Sequence, residues 1–255
     1  ENKMNTLLIC FVFISFYGTS LSLPRFEKGN GLGIVNGNDT TILKHPYLGS
    51  LSVDGTVYCA ASILKKNWIV TNAFCFRHVT PSEMTLRVGS DRWNSGGQAV
   101  KLSKVFYPSE YQNDFDYNVA LVKTSKPIKF NKKVKPISLA KKEPEDGAEV
   151  TVAGWGTTEQ GTLGKLKDAT VNIVNRDSCK NDYHHPYPTL TERIQCAYKY
   201  KVGPCWKDEG APLVYKNTLV GYFLGENYCA ALEVPQLYSS VANLRSWIIE
   251  TMKKN

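Results

Sequence analysis

The sequence predicts an all-β chain that closes on one helix. Short runs rich in β-branched and aromatic residues recur along it, and Gly, Pro, Asn and Asp separate them. Only the last segment keeps helical spacing. Many short strands with turn punctuation lead to a sandwich or a barrel.

The runs follow in order. "YLGSLSV" and "TVYCAASIL" flank Asp54-Gly55, a pair suited to a two-residue hairpin turn. "NWIVTNAF", "MTLRVGS", "NVALVKT", "EVTVAGW", "LVGYFLG" and "PQLYSSV" continue the pattern. "VANLRSWIIETMKK" then puts Val241, Leu244, Trp247, Ile248 and Met252 on one helical face, with Lys at the end that the helix dipole favours. One apolar face and a short length make it a packing helix.

Ahead of these elements, residues 4–22, "MNTLLICFVFISFYGTSLS", read as a secretory signal. The apolar run Leu7 to Tyr17 is too short to span a bilayer, and the small residues Ser20 and Ser22 follow it. Residues 1–3 precede the Met. Residues 23–33, "LPRFEKGNGLG", are a polar, Gly-rich leader. The expected domain is 34–255, secreted and extracellular, and no later segment is long and apolar enough to cross a membrane.

A secreted chain meets an oxidising environment. Of seven Cys, Cys10 lies in the signal, which leaves Cys59, Cys75, Cys179, Cys196, Cys205 and Cys229. An even set suggests three disulfides without fixing their pairing. No pair has CxxC spacing, so a structural zinc site is not expected. No other metal or cofactor is expected either. The adjacent His184 and His185 lack a supporting carboxylate or Cys pattern and read as surface loop.

The net charge of +8 favours anionic partners in a nonspecific way. Residues 123–142, "KTSKPIKFNKKVKPISLAKK", hold eight Lys and no acid. They read as a connector between two halves, either a solvated linker or a docking strip for sulfated glycans and other polyanions. Nucleic acid and membrane are not expected as partners, and the chain is expected to be a monomer. Asn38-Asp39-Thr40 is a glycosylation sequon. Tyr183, Tyr187 and Tyr198 surround a Pro-containing loop and suit protein recognition if exposed.

Several stretches together carry a resemblance. "IVNG" at Ile34, "WIVTNAFC", "DYNVALVK", "VAGWG" at 152–156 and "CWKDEGAPLV" at 205–214 follow one another at characteristic spacing. From Ile34 to its end the chain resembles the trypsin-like (chymotrypsin-fold) serine proteases. The resemblance implies two antiparallel β-barrels, a C-terminal helix and a cleft between the barrels. The first barrel would span about 34–124, the connector about 125–145, and the second barrel with the helix about 146–255. It also implies the pairs Cys59–Cys75, Cys179–Cys196 and Cys205–Cys229.

Acyl transfer on this frame needs a nucleophile, a base and a carboxylate that orients the base. The resemblance assigns these positions to Glu209, Phe74 and Asn118, none of which has the required chemistry. A Gly whose N–H helps form the oxyanion hole becomes Lys207. The charged floor of the specificity pocket becomes Gly203, and a small residue of its wall becomes Gln236, expected to fill the pocket. The strand that would pair with substrate reads Leu224, Gly225, Glu226. Trp206 is expected either to plug the cleft or to anchor a partner.

Glu209 is expected to face solvent or to pair with Lys207. Ile34 and Asp208 match the pair that forms when family zymogens are cut. Gly33 precedes Ile34, however, so a cut after Lys or Arg does not free it.

Full replacement of the triad on an intact frame resembles the inactivated serine protease paralogues of the scabies mite, relatives of the mite group 3 allergens. That group implies release into the mite gut, contact with host serum proteins and interference with complement. The expected function is therefore a non-catalytic, secreted protease homologue that binds proteins of a host protease cascade. The alternative is a polyanion-binding protein that uses the Lys-rich connector.

Overall fold

The computed structural model describes residues 34–112, 115–156, 165–183, 189–225 and 234–255. The expectations for the signal, the leader, His184, His185, Tyr187, Glu226 and Cys229 lie outside the described residues.

The described chain starts on the second half of the molecule. Strand β1 (Asn38–Asp39) pairs with Lys167 and Asp168, and Asn38 of the sequon is exposed. The chain then crosses to a closed barrel. Its strands are β2 (Leu48–Val53), β3 (Thr56–Lys65), β4 (Trp68–Thr71), β5 (Met84–Val88), β6 (Gln98–Phe106) and β7 (Ala120–Thr124). They close in the order β2-β3-β4-β7-β6-β5. The expected hairpin joins β2 to β3. Asp54 and Gly55 both take positive φ, 47° and 75°, as a turn that follows strand twist requires. β5 shows the alternation of a half-buried strand, with Met84, Leu86 and Val88 inward.

After β7 the connector is pinned down throughout. Ser125 N–H donates to Lys101 O and Ile128 N–H to Lys66 O, at 2.8 and 2.7 Å. Ile128 and Val134 are buried in the first barrel's core. Strand β8 (Ser138–Leu139) then runs parallel to a strand of the second barrel. The connector is a belt across the two barrels, with its Lys side chains outward.

The second barrel comprises β9 (Glu149–Gly154), β10 (Lys167–Val174), β11 (Ile194–Tyr198), β12 (Pro212–Tyr215), β13 (Thr218–Phe223) and β14 (Gln236–Ser240). Its neighbours run β10-β11-β14-β13-β12-β9, and a β9–β10 pairing closes the ring. Helix α2 (Val241–Lys254) follows at once, burying Val241, Leu244 and Ile248. Trp247 and Met252 pack partly buried on the same core.

One helix departs from expectation. The sequence shows helical spacing only at its end, yet α1 (Arg176–Asp182) forms between β10 and β11. Asn175 caps it, accepting from the N–H groups of Asp177 and Ser178 at 3.0 and 3.1 Å. Seven residues are too few to display a period. Cys179 anchors it to β11 through the Cys179–Cys196 disulfide.

Candidate functional site

The first wall of the cleft is a short 3₁₀ turn after β4, Ala73–Phe76. The Cys59–Cys75 disulfide ties this turn to β3. Phe74 stands on it with 38% of its surface exposed, and its N–H donates to Asn118 Oδ1 at 3.0 Å. Asn118 is itself buried. The structure thus brings Phe74 and Asn118 together, but the phenyl ring has no nitrogen to take a proton.

Three hydrogen bonds join this wall to the second barrel. Asn72 Nδ2 donates to Phe223 O at 2.7 Å, Ser239 Oγ to Asn118 O at 3.3 Å, and Ala60 N–H to Glu209 O at 2.7 Å. A fourth tie fixes the approach to Asn118. Arg193 grips both carboxylate oxygens of Asp116, Nε to Oδ1 at 2.7 Å and Nη2 to Oδ2 at 2.8 Å, a bidentate fork.

The opposite wall is the turn from Cys205 to Ala211. Asp208 N–H donates to Cys205 O and Ala211 N–H to Asp208 O. Gly210, at φ 83°, passes so close to β3 that a Cβ would lie 2.3 Å from Ala60 O. Lys207 takes φ 71°, a left-handed conformation normally left to Gly.

Here the structure departs from the expectation for Glu209. Its side chain is half-buried, not free in solvent. Burial raises its pKa above the usual carboxylate value, while the nearby backbone N–H groups of Glu209 and Lys207 and the Lys207 charge oppose the rise. Its Cγ lies against Gly225, where an added Cβ would come within 3.1 Å. Lys207 and Glu209 form no ion pair within 4 Å; the Lys207 ammonium stands 5.3 Å from the centre of the Tyr58 ring. The Glu209 carboxyl thus lies within electrostatic reach of the backbone N–H of Lys207, the position that the resemblance assigns to the oxyanion hole.

Below this turn, Gln236 is buried against Gly203. A Cβ on Gly203 would lie 2.1 Å from Gln236 Nε2 and 2.2 Å from Oε1. The Tyr238 hydroxyl donates to Gln236 Oε1 at 3.3 Å and steadies the amide. Trp206 is 44% exposed at the rim.

Asp208 is fully buried and accepts from Gly156 N–H at 2.8 Å and Cys205 N–H at 3.1 Å. Burial pushes its pKa up to about 7, the two N–H bonds oppose the rise, and the Glu209 charge adds to it. Ile34 is also fully buried, and its Cδ1 and the Asp208 carboxyl flank Gly154. Val35 exchanges both backbone hydrogen bonds with Gly203. Cys205 is disulfide-bonded as well, and its expected partner Cys229 lies outside the described residues.

Sequence reasoning missed a second polar centre. His45 Nε2 meets Asp168 Oδ2 at 2.8 Å, and His45 Nδ1 meets the Tyr47 hydroxyl at 3.1 Å. Burial lowers the His45 pKa despite Asp168. His45 and Tyr47 precede β2 while Asp168 sits on β10, so this group clamps the two barrels. Nothing local in the sequence pairs residues this far apart. Among the described residues no group of three or more His, Cys, Asp or Glu is placed to hold a metal ion.

The family model described as Trypsin matches residues 34–248. The chain belongs to the trypsin family. Its trypsin-family relatives include Hypodermin-A of Hypoderma lineatum, 33% identical over 247 residues, which cover 95% of this chain and 96% of that one. Among solved structures, the scabies mite inactivated protease paralogue S-D1 matches with a TM-score of 0.79 at 27% identity, covering 86% of this chain and 97% of the other. Mouse neuropsin, a serine protease expressed in the limbic system, matches with a TM-score of 0.78 at 25% identity, covering 85% and 99%. A protease and an inactivated paralogue fit the trypsin frame almost equally well. Overall likeness therefore establishes the chymotrypsin-like fold, and chemistry has to be argued from the cleft.

Proposed function

We propose that this chain is a catalytically inactive, secreted trypsin homologue that acts by binding proteins, antagonising a host protease cascade such as complement. The observation that carries the inactivity is the Phe74–Asn118 pair, which offers Glu209 no nitrogen base and no orienting carboxylate. Loss of a whole triad costs a serine protease about 2 × 10⁶ in turnover. The residual activity, roughly 10³–10⁴ over water, comes from the oxyanion hole and substrate binding. Both supports are weakened on this reading, because Lys207 stands at the oxyanion-hole Gly position, the Glu209 carboxyl lies near the N–H groups of that turn, and Gln236 packs against Gly203.

The likeness to a scabies mite paralogue described as inactivated supports the same reading. The step to host serum proteins rests on the resemblance to that group. The signal-like residues 4–22 support secretion.

Two measurements test this. A panel of peptide and ester substrates should show no turnover above buffer. Turnover that disappears in Glu209→Ala would overturn the inactive reading. A pull-down from host serum, washed at low and high salt, should retain a discrete set of cascade proteins at high salt. Recovery of only acidic proteins that wash away would overturn the dedicated antagonist.

One observation favours a second reading, polyanion binding through the connector. Of its eight Lys, only Lys123 is partly buried, and none makes an ion pair with an Asp or Glu among the described residues.

A further inference from the structure

We infer that the first barrel carries an assembled cationic face, wider than the connector, that binds a linear sulfated polysaccharide. This inference rests on the polyanion reading and gives it a surface. Three separate stretches build the face: the β3–β4 turn with Lys65 and Lys66, strand β6 with Lys101 and Lys104, and the start of the connector with Lys126 and Lys129.

Backbone hydrogen bonds hold them side by side. Ile128 N–H donates to Lys66 O, and Thr124 N–H donates to Asn67 O at 3.1 Å. Ser125 N–H donates to Lys101 O. Gln98 clasps Lys129 from both sides, Nε2 to its carbonyl at 2.6 Å and Oε1 from its N–H at 2.9 Å. Lys104 lies opposite Lys123 in the β6–β7 ladder.

All six side chains are exposed, and none pairs with a carboxylate among the described residues. Residues 65–71, 98–106 and 120–142 contain no Asp or Glu. Lys123 is the exception, for its Nζ donates to Asn255 O at 2.6 Å and stands over the Trp68 ring.

The chemistry of the occupant follows from the donors. They are point charges on long stems spread over an exposed surface, with Lys104 Nζ 4.7 Å from the centre of the Phe106 ring, and without the Arg forks that grip single carboxylates or phosphates. All six are exposed, so a single small anion would gain little. A flexible chain with repeated sulfates can meet all of them at once and release its counterions.

The test compares the full chain with two variants of equal charge loss. One is Lys65→Gln, Lys66→Gln, Lys101→Gln and Lys104→Gln. The other is Lys132→Gln, Lys133→Gln, Lys141→Gln and Lys142→Gln. Each is titrated with heparin over a salt series, and circular dichroism melting checks that the variants fold.

The first variant should lose about tenfold or more in affinity at physiological salt. Its log–log salt slope should fall by roughly three to four units, about one for each contact removed. The second should lose less than about threefold. Equal losses in both would mean net charge alone and would overturn the face. A loss confined to the second would overturn the face and leave the connector. Absence of heparin binding by the unmodified chain would overturn the polyanion reading along with it. Single-stranded DNA bound as tightly as heparin would overturn the choice of a sulfated polysaccharide.

Discussion

Lys207 keeps the backbone angle of a Gly although it carries a side chain. A left-handed residue costs about 1–2 kcal/mol, and Gly costs about 0.5–1 kcal/mol in lost chain entropy. Lys207→Gly should therefore stabilise the protein slightly, by under about 1 kcal/mol in urea unfolding. A net loss would mean that the ammonium over Tyr58 contributes more than the strain costs. Gly203 poses the opposite case, since its neighbour leaves no room. Gly203→Ala should cost more than about 2 kcal/mol by overpacking, because its Cβ would fall within van der Waals radii of the Gln236 amide. Adding Gln236→Gly should recover the packing part of that loss but not the backbone strain at φ 156°, and a double-mutant cycle reads the coupling directly. The identities of Phe74, Asn118 and Glu209 were legible by resemblance. The half-buried position of the Glu209 side chain against Gly225 was not, because it depends on how the Cys205–Ala211 turn packs.

At the scale of elements, the turn that carries Phe74 has little holding it. It is one 3₁₀ turn without a side-chain cap, fastened by the Cys59–Cys75 disulfide and by Asn72 reaching across to Phe223 O. The disulfide spans a sequence separation of 16 residues. Paired Cys59→Ala and Cys75→Ala should cost about 3 kcal/mol in urea unfolding. Retained stability would show that the interbarrel bonds suffice. Elements with strong periodicity were readable: the Asp54-Gly55 hairpin and α2 lie where the sequence puts them. Strand β6 was harder. Of its nine residues only Leu102 is buried, so the inward–outward alternation nearly vanishes. Helix α1 rests on one capping Asn and one disulfide, both invisible to a periodicity argument.

At the scale of the whole molecule, two barrels meet around a polar seam. The His45–Asp168 contact, the Asp116–Arg193 fork and the Asn72 and Ser239 bonds all cross it. Asp208 is buried beside it and makes stability depend on pH. Its unfolded carboxyl ionises near 3.8, but the buried one ionises only near 7. Between those values the unfolded state holds fewer protons, so this group's contribution to stability falls as pH rises. The uncut chain should melt at lower temperature at pH 8 than at pH 5 on this account, and the drop should shrink in Asp208→Asn. An equal drop in both proteins would move the pH dependence to other groups.

By itself the sequence determined an all-β frame with a C-terminal helix, a set of six Cys, a Lys-rich connector and a degenerate triad. The first three are carried by local periodicity, turn chemistry and residue identity, which need no third dimension; the triad positions were legible through the resemblance to the trypsin-like proteases. Tertiary structure alone decided the rest. It packed Glu209 against Gly225, pressed Gln236 against Gly203 and closed His45 onto Asp168. It also laid the connector along β6 so that three Lys-bearing stretches became one face. Each of these joins residues far apart in the chain, and backbone hydrogen bonding and close packing, which sequence spacing does not record, set their distances.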